Sequence, residues 1–287
     1  MTISEPTIPP ALARRAGEAL DVLVAAAREA GEIALRDFRE GAPTTARIEY
    51  KAGDSPVTEA DLRVDAFLKV RLGAAFPAAG WLSEETADDE ARLAHAEILV
   101  VDPIDGTRAF LSGDPRWAVA LAFVLDGQPI AGVVHAPALR KTFAAALGQG
   151  ATLNGERIWA SSQTSLEGAR LGGPKPLVDA VAKAANVAFV TEPKIPSLAY
   201  RLARVAEGTL DAALASRNSH DWDIAAADVL LAEAGAALRD AQGRSLLYNR
   251  RSSRRDSLAA APLKLIDDLS AALQRAVADW ENGRHET

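Results

Sequence analysis

The sequence predicts a mixed fold in which α-helices and β-strands form packed layers. Amphipathic helical stretches and short apolar, strand-like runs alternate along the whole chain. Hydrophobic residues make up 48% of the 287 residues, which is enough to bury a core and excludes a disordered chain. A stretch rich in Gly, Ser and Thr at 148–173 indicates two subdomains, 1–150 and 151–287, that together form one compact unit.

The first half is predicted to contain two helices followed by a series of strands. Apolar side chains recur at helical spacing over 12–38, and Leu35 belongs to the predicted buried face. Thr58 is a suitable N-cap for a second helix at about 59–76. The apolar run Ile98–Val101 predicts a buried strand. Further strands are predicted at 117–125, 129–135 and 142–147.

The second half repeats this mixture of strands and helices. Strands are predicted at 187–191 and 210–214, and helices at 198–207 and 224–234. A last helix is predicted over Leu263–Trp280, with Leu263 on its apolar face.

Charge and composition exclude several classes of protein. With 32 basic and 39 acidic residues the net charge is −7, which disfavours nucleic acid polymers and anionic membranes as partners. The absence of cysteine excludes a thiol nucleophile and a thiolate metal site. No apolar stretch approaches the roughly 18 residues of a membrane span, and no targeting signal is evident. We therefore expect a cytoplasmic protein.

Acidic side chains stand out at four points by their position relative to the predicted elements. Asp61 lies in the first turn of the second helix, and the pair Glu84-Glu85 follows an apolar stretch. The string Asp102-Pro103-Ile104-Asp105-Gly106-Thr107 comes directly after the first predicted strand. The segment Asp221-Trp222-Asp223 stands just before a predicted helix.

The third of these segments has the pattern of a site for metal and phosphate. In α/β proteins, ligands bind at the C-terminal ends of buried parallel strands. Asp102 and Asp105 would repel each other there, and a divalent cation such as Mg²⁺, which prefers carboxylate and carbonyl oxygens, removes that repulsion. Gly106 lets the backbone approach a ligand, and the amides of Gly106, Thr107 and Arg108 open a predicted short helix suited to phosphate.

Each acidic segment also has a purely structural interpretation. Asp61 and Asp221 could cap helices, and Glu84-Glu85 could lie in a solvated loop. The pair Asp105-Gly106 could form an ordinary turn. Asp102 is harder to explain in this way, because the end of a hydrophobic strand is half-buried. The functional interpretation therefore depends on the joint occurrence of all four segments.

Taken together, the acidic segments resemble the signatures of the inositol monophosphatase superfamily. The matching signatures are Glu84-Glu85, the string 102–107 and Trp222-Asp223-Ile224-Ala225-Ala226, with Asp61 upstream. Members are lithium-sensitive, magnesium-dependent phosphomonoesterases, among them bacterial 3'(2'),5'-bisphosphate nucleotidase-like enzymes. The resemblance implies a layered αβαβα sandwich of the inositol monophosphatase and fructose-1,6-bisphosphatase type. It also implies a small phosphate ester as substrate and a homodimer as a common assembly.

The resemblance assigns metal ligands residue by residue. Glu84, Asp102 and the backbone carbonyl of Ile104 match the ligands of one ion. Asp102, Asp105 and Asp223 match the ligands of a second ion. The implied cofactor is Mg²⁺, two or three ions per site, with Mn²⁺ as a substitute and Li⁺ as an inhibitor.

The resemblance also assigns roles in catalysis and in substrate binding. Thr107 and Asp61 match the pair that orients and deprotonates the attacking water, and Glu85 matches a neighbour of a third ion or of a bridging water. The amides of Gly106 and Thr107 match the phosphate cradle. Lys51 lies in a segment that the family places near the metals, which indicates a role near phosphate.

The substrate side departs from the inositol-specific pattern. Inositol-specific members carry an acidic residue seven positions before the aspartate of the Trp-Asp pair, where this chain has Ser216 followed by Arg217. Candidate substrates are a 3'(2'),5'-bisphosphate nucleotide and an inositol monophosphate, with histidinol phosphate or fructose 1,6-bisphosphate as alternatives. For His220 we favour a structural hydrogen bond, and for the cluster at 250–255 a solvated surface.

Three classes of function therefore stand side by side. The first is a metal-dependent phosphomonoesterase, and the second is a module that binds metal or phosphate without turnover. The third is a structural protein whose acids only cap helices and turns. Because every metal ligand of the family pattern is present, the sequence favours the enzyme.

Overall fold

The computed structural model describes residues 8–51 and 55–283. A short antiparallel hairpin, β1 (Ile48–Lys51) and β2 (Ser55–Thr58), precedes the second helix. The α-helices of the described ranges are Pro10–Leu35 (α1), Glu59–Ala75 (α2), Thr107–Ser112 (α3), Lys175–Ala185 (α4), Leu198–Ala206 (α5), Asp221–Glu233 (α6) and Ile266–Gly283 (α7).

The remaining strands form two sheets. The larger sheet, whose order follows the chain, consists of Gly80–Ser83 (β3), Glu97–Asp105 (β4), Ala118–Leu125 (β5), Gln128–Ala136 (β6), Lys141–Ala146 (β7), Gly150–Leu153 (β8) and Glu156–Arg157 (β9). The smaller sheet, in the order β11-β10-β12-β14-β13, consists of Arg170–Gly172 (β10), Val190–Thr191 (β11), Ala212–Ala215 (β12), Ala236–Asp240 (β13) and Leu258–Pro262 (β14). Strands β3 and β4 are parallel, as are β10, β11 and β12, and the other pairs are antiparallel.

The two sheets and three pairs of helices stack into five layers. Helices α1 and α2 cover one face of the larger sheet, α5 and α6 lie between the sheets, and α4 and α7 cover the outer face of the smaller sheet. Strand β4 shows how alternation builds these layers, because Ile98 and Val100 join the core with α5 and α6, whereas Leu99 and Val101 join the core with α1 and α2. The predicted αβαβα sandwich is confirmed.

Small side chains allow α6 to lie close against the larger sheet. Ala225, Ala226 and Ala227 of this helix are buried between the two sheets. A Cβ atom at Gly132 of β6 would lie 2.5 Å from the backbone oxygen of Ala226, so this strand position needs glycine. The close contact holds the start of α6 at the edge of the sheet, where the acidic segments meet.

The predicted elements are present, but several of their bounds were wrong. Strand β4 continues beyond Val101 to Asp105, and it pairs in parallel only with β3, because its other neighbour β5 is antiparallel. The strand predicted at 187–191 is limited to Val190–Thr191. The helix predicted at 224–234 begins three residues earlier, at Asp221.

Two apolar side chains lie outside the core that the helical patterns predicted. Leu35, the last residue of α1, is 37% exposed, and Leu263 is 59% exposed because α7 begins only at Ile266. The buried face of α1 is formed largely by alanines, such as Ala19 and Ala26, whose small apolar surface gives a weak periodic signal.

The larger sheet extends past residue 150, and the smaller sheet begins at Arg170. The division into 1–150 and 151–287 stays a prediction. Among the described helices, none combines the length and the apolar character that a membrane span requires.

Buried His135 makes stability depend on pH. This β6 side chain is 9% exposed, and its Nδ1 lies 3.0 Å from the hydroxyl of Thr142. Burial lowers the pKa of His135 from 6.5 to about 4, so the unfolded chain binds more protons between these values and stability falls as the pH drops through that window. Between pH 6.5 and 4, we expect the free energy of unfolding of wild type to fall by on the order of 3 kcal/mol more than that of His135→Gln. Urea unfolding at each pH measures this difference, and parallel curves for the two proteins would refute it.

Candidate active site

The end of strand β4 carries two of the predicted acids. Asp102 pairs with Ala120 of β5 and Asp105 pairs with Ala118, so the pairing shifts register between them and the strand bulges. Asp102 is 1% exposed, and its Oδ1 accepts a hydrogen bond of 3.1 Å from the backbone N–H of Ile104. Its other oxygen, Oδ2, is buried and has no hydrogen-bond partner. A buried carboxylate oxygen in this state is suited to a cation.

The parallel pairing of β3 with β4 places Glu84 beside Asp102. Ser83 is opposite Val101, and the backbone N–H of Glu84 donates a bond of 3.2 Å to the carbonyl of Val101. Both Glu84 and Glu85 are half-buried rather than fully solvated. The register of these two neighbouring strands therefore fixes the position of the pair Glu84-Glu85.

Helix α6 brings a third acid, the half-buried Asp223, to the same place. Since the helix begins at Asp221, Asp223 lies inside its first turn and not in front of it. The Oδ2 of Asp223 accepts a bond of 2.6 Å from the backbone N–H of His220, in the manner of a helix cap. Asp223 thus has a structural contact on one side and faces β4 on the other.

The three aspartates form a compact group. Asp102, Asp105 and Asp223 each offer a carboxylate oxygen, and these atoms lie within 4.8 Å of one another. Burial raises the pKa of Asp102 well above its ordinary value, and the charges of Glu84 and Asp105 raise it further. Burial also raises the pKa of Asp223, as does the nearby charge of Asp105. Burial raises the pKa of Asp105 too, although the charge of the buried Arg201 guanidinium acts to lower it. The three carboxylates are close together, and their oxygens fit the hard divalent cation that the sequence predicted.

Asp61 serves as a helix cap and as a partner of Thr107 at once. Its Oδ2 accepts bonds of 2.8 Å from the backbone N–H and 2.5 Å from the hydroxyl of Thr58, which closes a capping box at the start of α2. Its Oδ1 accepts a longer bond of 3.4 Å from the hydroxyl of Thr107. Burial raises the pKa of Asp61 to about 6, and the charge of Glu85 contributes. The structural and the functional interpretation therefore hold for the same side chain.

The loop after β4 has the shape that the sequence predicted. Gly106 precedes helix α3 and has a backbone φ of 91°, a conformation that residues other than glycine rarely adopt. The hydroxyl of Thr107 donates a bond of 3.2 Å to the carbonyl of Ile104, which places that carbonyl beside the Thr107–Asp61 pair.

Sequence reasoning missed the partners that hold Asp105. The hydroxyl of Ser197 and the backbone N–H of Ala199 each donate a bond of 2.6 Å to Asp105 Oδ2, and the N–H of Leu198 donates one of 3.2 Å to Oδ1. Ser197 is also the N-cap of α5. Its position before a predicted helix was a signal for a cap, but nothing in the sequence linked it to Asp105.

A second missed residue is Asp65, one turn after Asp61 on α2. Its carboxylate accepts hydrogen bonds from the hydroxyls of Ser83 and Thr86, on either side of the acidic pair. The available signal was its spacing of four residues from Asp61, which places both on one helix face.

The structure describes two of the three predicted substrate-side residues outside the loop after β4. Ser216 and Arg217 are exposed in the turn after β12, and Nε of Arg217 lies 3.5 Å from Asp256. Lys51 ends strand β1, and its side chain lies outside the described part of the structure. The direct contribution of these three residues stays a prediction.

The prediction that the arginines at 250–255 form a solvated surface was wrong for one residue. Arg250, Arg251 and Arg254 are exposed, but the side chain of Arg255 is only 14% exposed. Its guanidinium lies 2.6 Å from Oδ1 of Asp221, which is fully buried, and 5.1 Å from the ring centre of Tyr248. Arg255 therefore clamps the first turn of α6 to the loop before β14.

His220 makes the structural contact that the sequence favoured. Its Nδ1 lies 3.0 Å from the hydroxyl of Ser253, and its ring stacks on Trp222 with the ring centres 4.4 Å apart.

Removing the Arg255 clamp should destabilise the fold. We expect Arg255→Ala to lower the free energy of unfolding by about 3 kcal/mol, because buried Asp221 loses its cationic partner. The loss should be largest above pH 6, because burial raises the pKa of Asp221 to about 6 and the carboxylate is ionised above that value. Denaturant unfolding measures the effect, and exposed Arg250→Ala should change stability by less than about 0.5 kcal/mol. Equal effects of the two substitutions would contradict the clamp.

Comparison with known proteins adds independent findings. A sequence model of the inositol monophosphatase family matches residues 16–278. The chain is 34% identical to inositol monophosphatase 3 of Solanum lycopersicum, over 78% of this chain and 86% of that protein. It is 32% identical to the 3'(2'),5'-bisphosphate nucleotidase CysQ of Aggregatibacter actinomycetemcomitans, over 82% and 88%. It is 36% identical to the histidinol-phosphatase of Mycobacterium tuberculosis, over 69% and 78%.

The fold has solved counterparts as well. The structure of Thermotoga maritima IMPase superimposes with a TM-score of 0.79 at 26% identity, over 91% of this chain and 99% of that one.

Proposed function

Because this chain belongs to the inositol monophosphatase family and is a phosphatase acting on phosphoric monoesters, we propose that it is Mg²⁺-dependent and hydrolyses a small phosphorylated metabolite. The observation that carries the proposal is the group of Asp102, Asp105 and Asp223, whose carboxylate oxygens lie within 4.8 Å of one another. A buried group of like charges at the end of a strand serves stability poorly, and it suits a cation and phosphate well.

We assign the metal ligands by the pattern of the family. Glu84, Asp102 and the carbonyl of Ile104 would hold one ion, and Asp105 and Asp223 would share a second ion with Asp102. Glu85 would serve a third ion or a bridging water. When bound, Mg²⁺ or Mn²⁺ neutralises phosphate charge and lowers the pKa of water.

The chain's own residues orient the reactants and accept the proton. The hydroxyl of Thr107 holds the attacking water, and Asp61 accepts the proton through this hydroxyl. The amides of Gly106 and Thr107 bind phosphoryl oxygens at the start of α3. A bond forms between the water oxygen and phosphorus while the ester P–O bond breaks. The leaving alkoxide takes a proton from solvent and Asp61 returns its proton to solvent, so the products are an alcohol and inorganic phosphate.

The two first candidate substrates are a 3'(2'),5'-bisphosphate nucleotide and an inositol monophosphate. Ser216 replaces the acid of inositol-specific members and Arg217 adds a cation, which supports a second phosphate over ring hydroxyls. Histidinol phosphate is the next candidate because of the similarity to a histidinol-phosphatase. Fructose 1,6-bisphosphate is a further alternative. We also propose inhibition by Li⁺, a homodimer, and a cytoplasmic location without nucleic acid polymer or membrane as partner.

A panel of the four phosphate esters with Mg²⁺ tests this proposal directly. We expect phosphate release that disappears with EDTA and returns with Mg²⁺ or Mn²⁺. Activity that survives EDTA unchanged would refute metal dependence. Metal binding without hydrolysis of any ester would instead support the non-catalytic module.

Asp223→Asn should separate catalysis from folding. We expect activity to fall more than about 100-fold, because a ligand charge is lost. The melting temperature of the metal-free variant should stay equal or rise, since the amide still accepts the bond from His220 and one buried charge is removed. Thermal unfolding with and without EDTA, beside phosphate release, measures both effects. A large drop in the metal-free melting temperature would identify Asp223 as a structural cap instead.

The rate should depend on the ionisation of Asp61. Because burial raises the pKa of Asp61 to about 6, its carboxylate is protonated below this pH and no longer accepts a proton. We expect kcat at saturating Mg²⁺ to fall with an acid limb at or below pH 6, because the charge of bound Mg²⁺ lowers the pKa of Asp61 from this metal-free value. Thr107→Ser should keep both rate and limb, whereas Thr107→Val should lose most of the rate. A profile that stays flat down to about pH 4, near the ordinary pKa of an aspartate, would exclude Asp61 as the base.

A further inference from the structure

Asp65 lies in the core beside the acidic pair but outside the assigned ligands. It is 7% exposed and follows Asp61 by one turn of α2. One carboxylate oxygen accepts a hydrogen bond from the hydroxyl of Ser83, and the other accepts a bond of 2.6 Å from the hydroxyl of Thr86. The two hydroxyls bracket the acidic pair, so a single buried side chain holds both ends of the segment that carries it.

We propose that Asp65 is a positioning residue that presents the pair Glu84-Glu85 to the divalent cations. The inference builds on the proposed function, because it concerns the same metal site. It goes further by naming a residue that acts through the loop and touches neither metal nor substrate.

The acidic loop needs such a tether because its charge is repelled. Regular structure in β3 ends at Ser83, and residues 84–86 form a bend. The register of β3 on β4 places Glu84 beside Asp102, where two carboxylates of like charge repel each other. Without bound metal, this repulsion favours conformations in which residues 84–86 lie farther from Asp102. Bonds from both ends of the bend to Asp65 oppose that movement.

Helix α2 makes Asp65 an effective anchor. Asp65 follows Asp61 by four positions, so both project from one face of a helix that is fixed by its capping box. The backbone N–H of Glu85 adds a weak contact of 3.4 Å to the hydroxyl of Ser83. One rigid element therefore sets the position of the base Asp61 and of the acidic pair relative to each other.

The loop side of this contact offers the sharpest test. Thr86→Val removes the hydroxyl at nearly constant shape, and Thr86→Ser is the matched control that keeps it. Asp65→Ala removes the anchor from the helix side. We expect Thr86→Val and Asp65→Ala to weaken Mg²⁺ binding by about 10- to 100-fold, as for other residues that orient metal ligands, and Thr86→Ser to bind like wild type.

Three measurements separate positioning from a purely structural role. Calorimetric titration of the metal-free proteins with Mg²⁺ gives the affinity without reference to turnover. Phosphate release against Mg²⁺ concentration should show a raised half-saturation, with kcat largely restored at saturating Mg²⁺. Hydrogen exchange should be faster at the amides of 84–86 in Thr86→Val than in Thr86→Ser.

A second buried carboxylate serves as a control for general destabilisation. Asp211 binds Nε and Nη2 of Arg170 in the smaller sheet, away from the acidic loop. We expect Asp211→Asn to lower the melting temperature and to leave the affinity for Mg²⁺ unchanged.

The possible outcomes distinguish a failure of the inference about Asp65 from a failure of the proposed function. If wild type binds Mg²⁺ and Thr86→Val binds it equally well, Asp65 is structural and the inference fails while the proposed function stands. If Asp65→Ala does not fold, the comparison of Thr86→Val with Thr86→Ser still decides. If wild type shows neither Mg²⁺ binding nor phosphate release, the proposed function fails and the inference fails with it.

Discussion

Repulsion between buried carboxylates is the constraint on which this structure depends. Asp102 and Asp105 leave the same strand, and Asp223 reaches them from a helix between the sheets. Burial raises the pKa of each of these groups, and their mutual charges raise those of Asp102 and Asp223 further. A fold that only maximised stability would separate such groups or pair them with cations. Here the layers bring them together and leave Oδ2 of Asp102 without a protein partner.

The fold opposes this repulsion with hydrogen bonds that hold three of the acids in place. Asp61 closes a capping box, Asp223 accepts from the backbone ahead of α6, and Asp105 accepts from the first turn of α5. In each case a helix start supplies donors, and the partial positive charge there favours an anion. Capping and chemistry are therefore not competing explanations for these acids. In Asp61 and Asp223 the cap holds Oδ2 and leaves Oδ1 oriented toward the site, whereas both oxygens of Asp105 accept bonds from the start of α5.

The middle layer sets the distances between these helix starts. Alanines of α6 pack against the larger sheet at Gly132 of β6. The helix therefore lies close to the sheet, and its first turn reaches the end of β4. The clamp between Arg255 and Asp221 fixes the same turn from the side of the smaller sheet. The site thus lies where elements of both sheets meet, which is how residues distant in sequence, such as Asp102 and Asp223, come within reach of one ion.

The sequence alone determined the layered class, most of the elements, and the acids themselves, because helical and strand periods and short acidic strings are local patterns. It also placed Gly106 and Thr107 at the start of a short helix. Only the tertiary structure decided which oxygens converge, through the register of β3 on β4, the bulge after Asp102 and the packing of α6. The supporting contacts of Ser197, Asp65 and Arg255 are long-range, so no local pattern reports them. The buried face of α1 was predicted only in part, at residues such as Leu23 and Ala27, because its further alanines are buried by close packing and add little to the periodic signal.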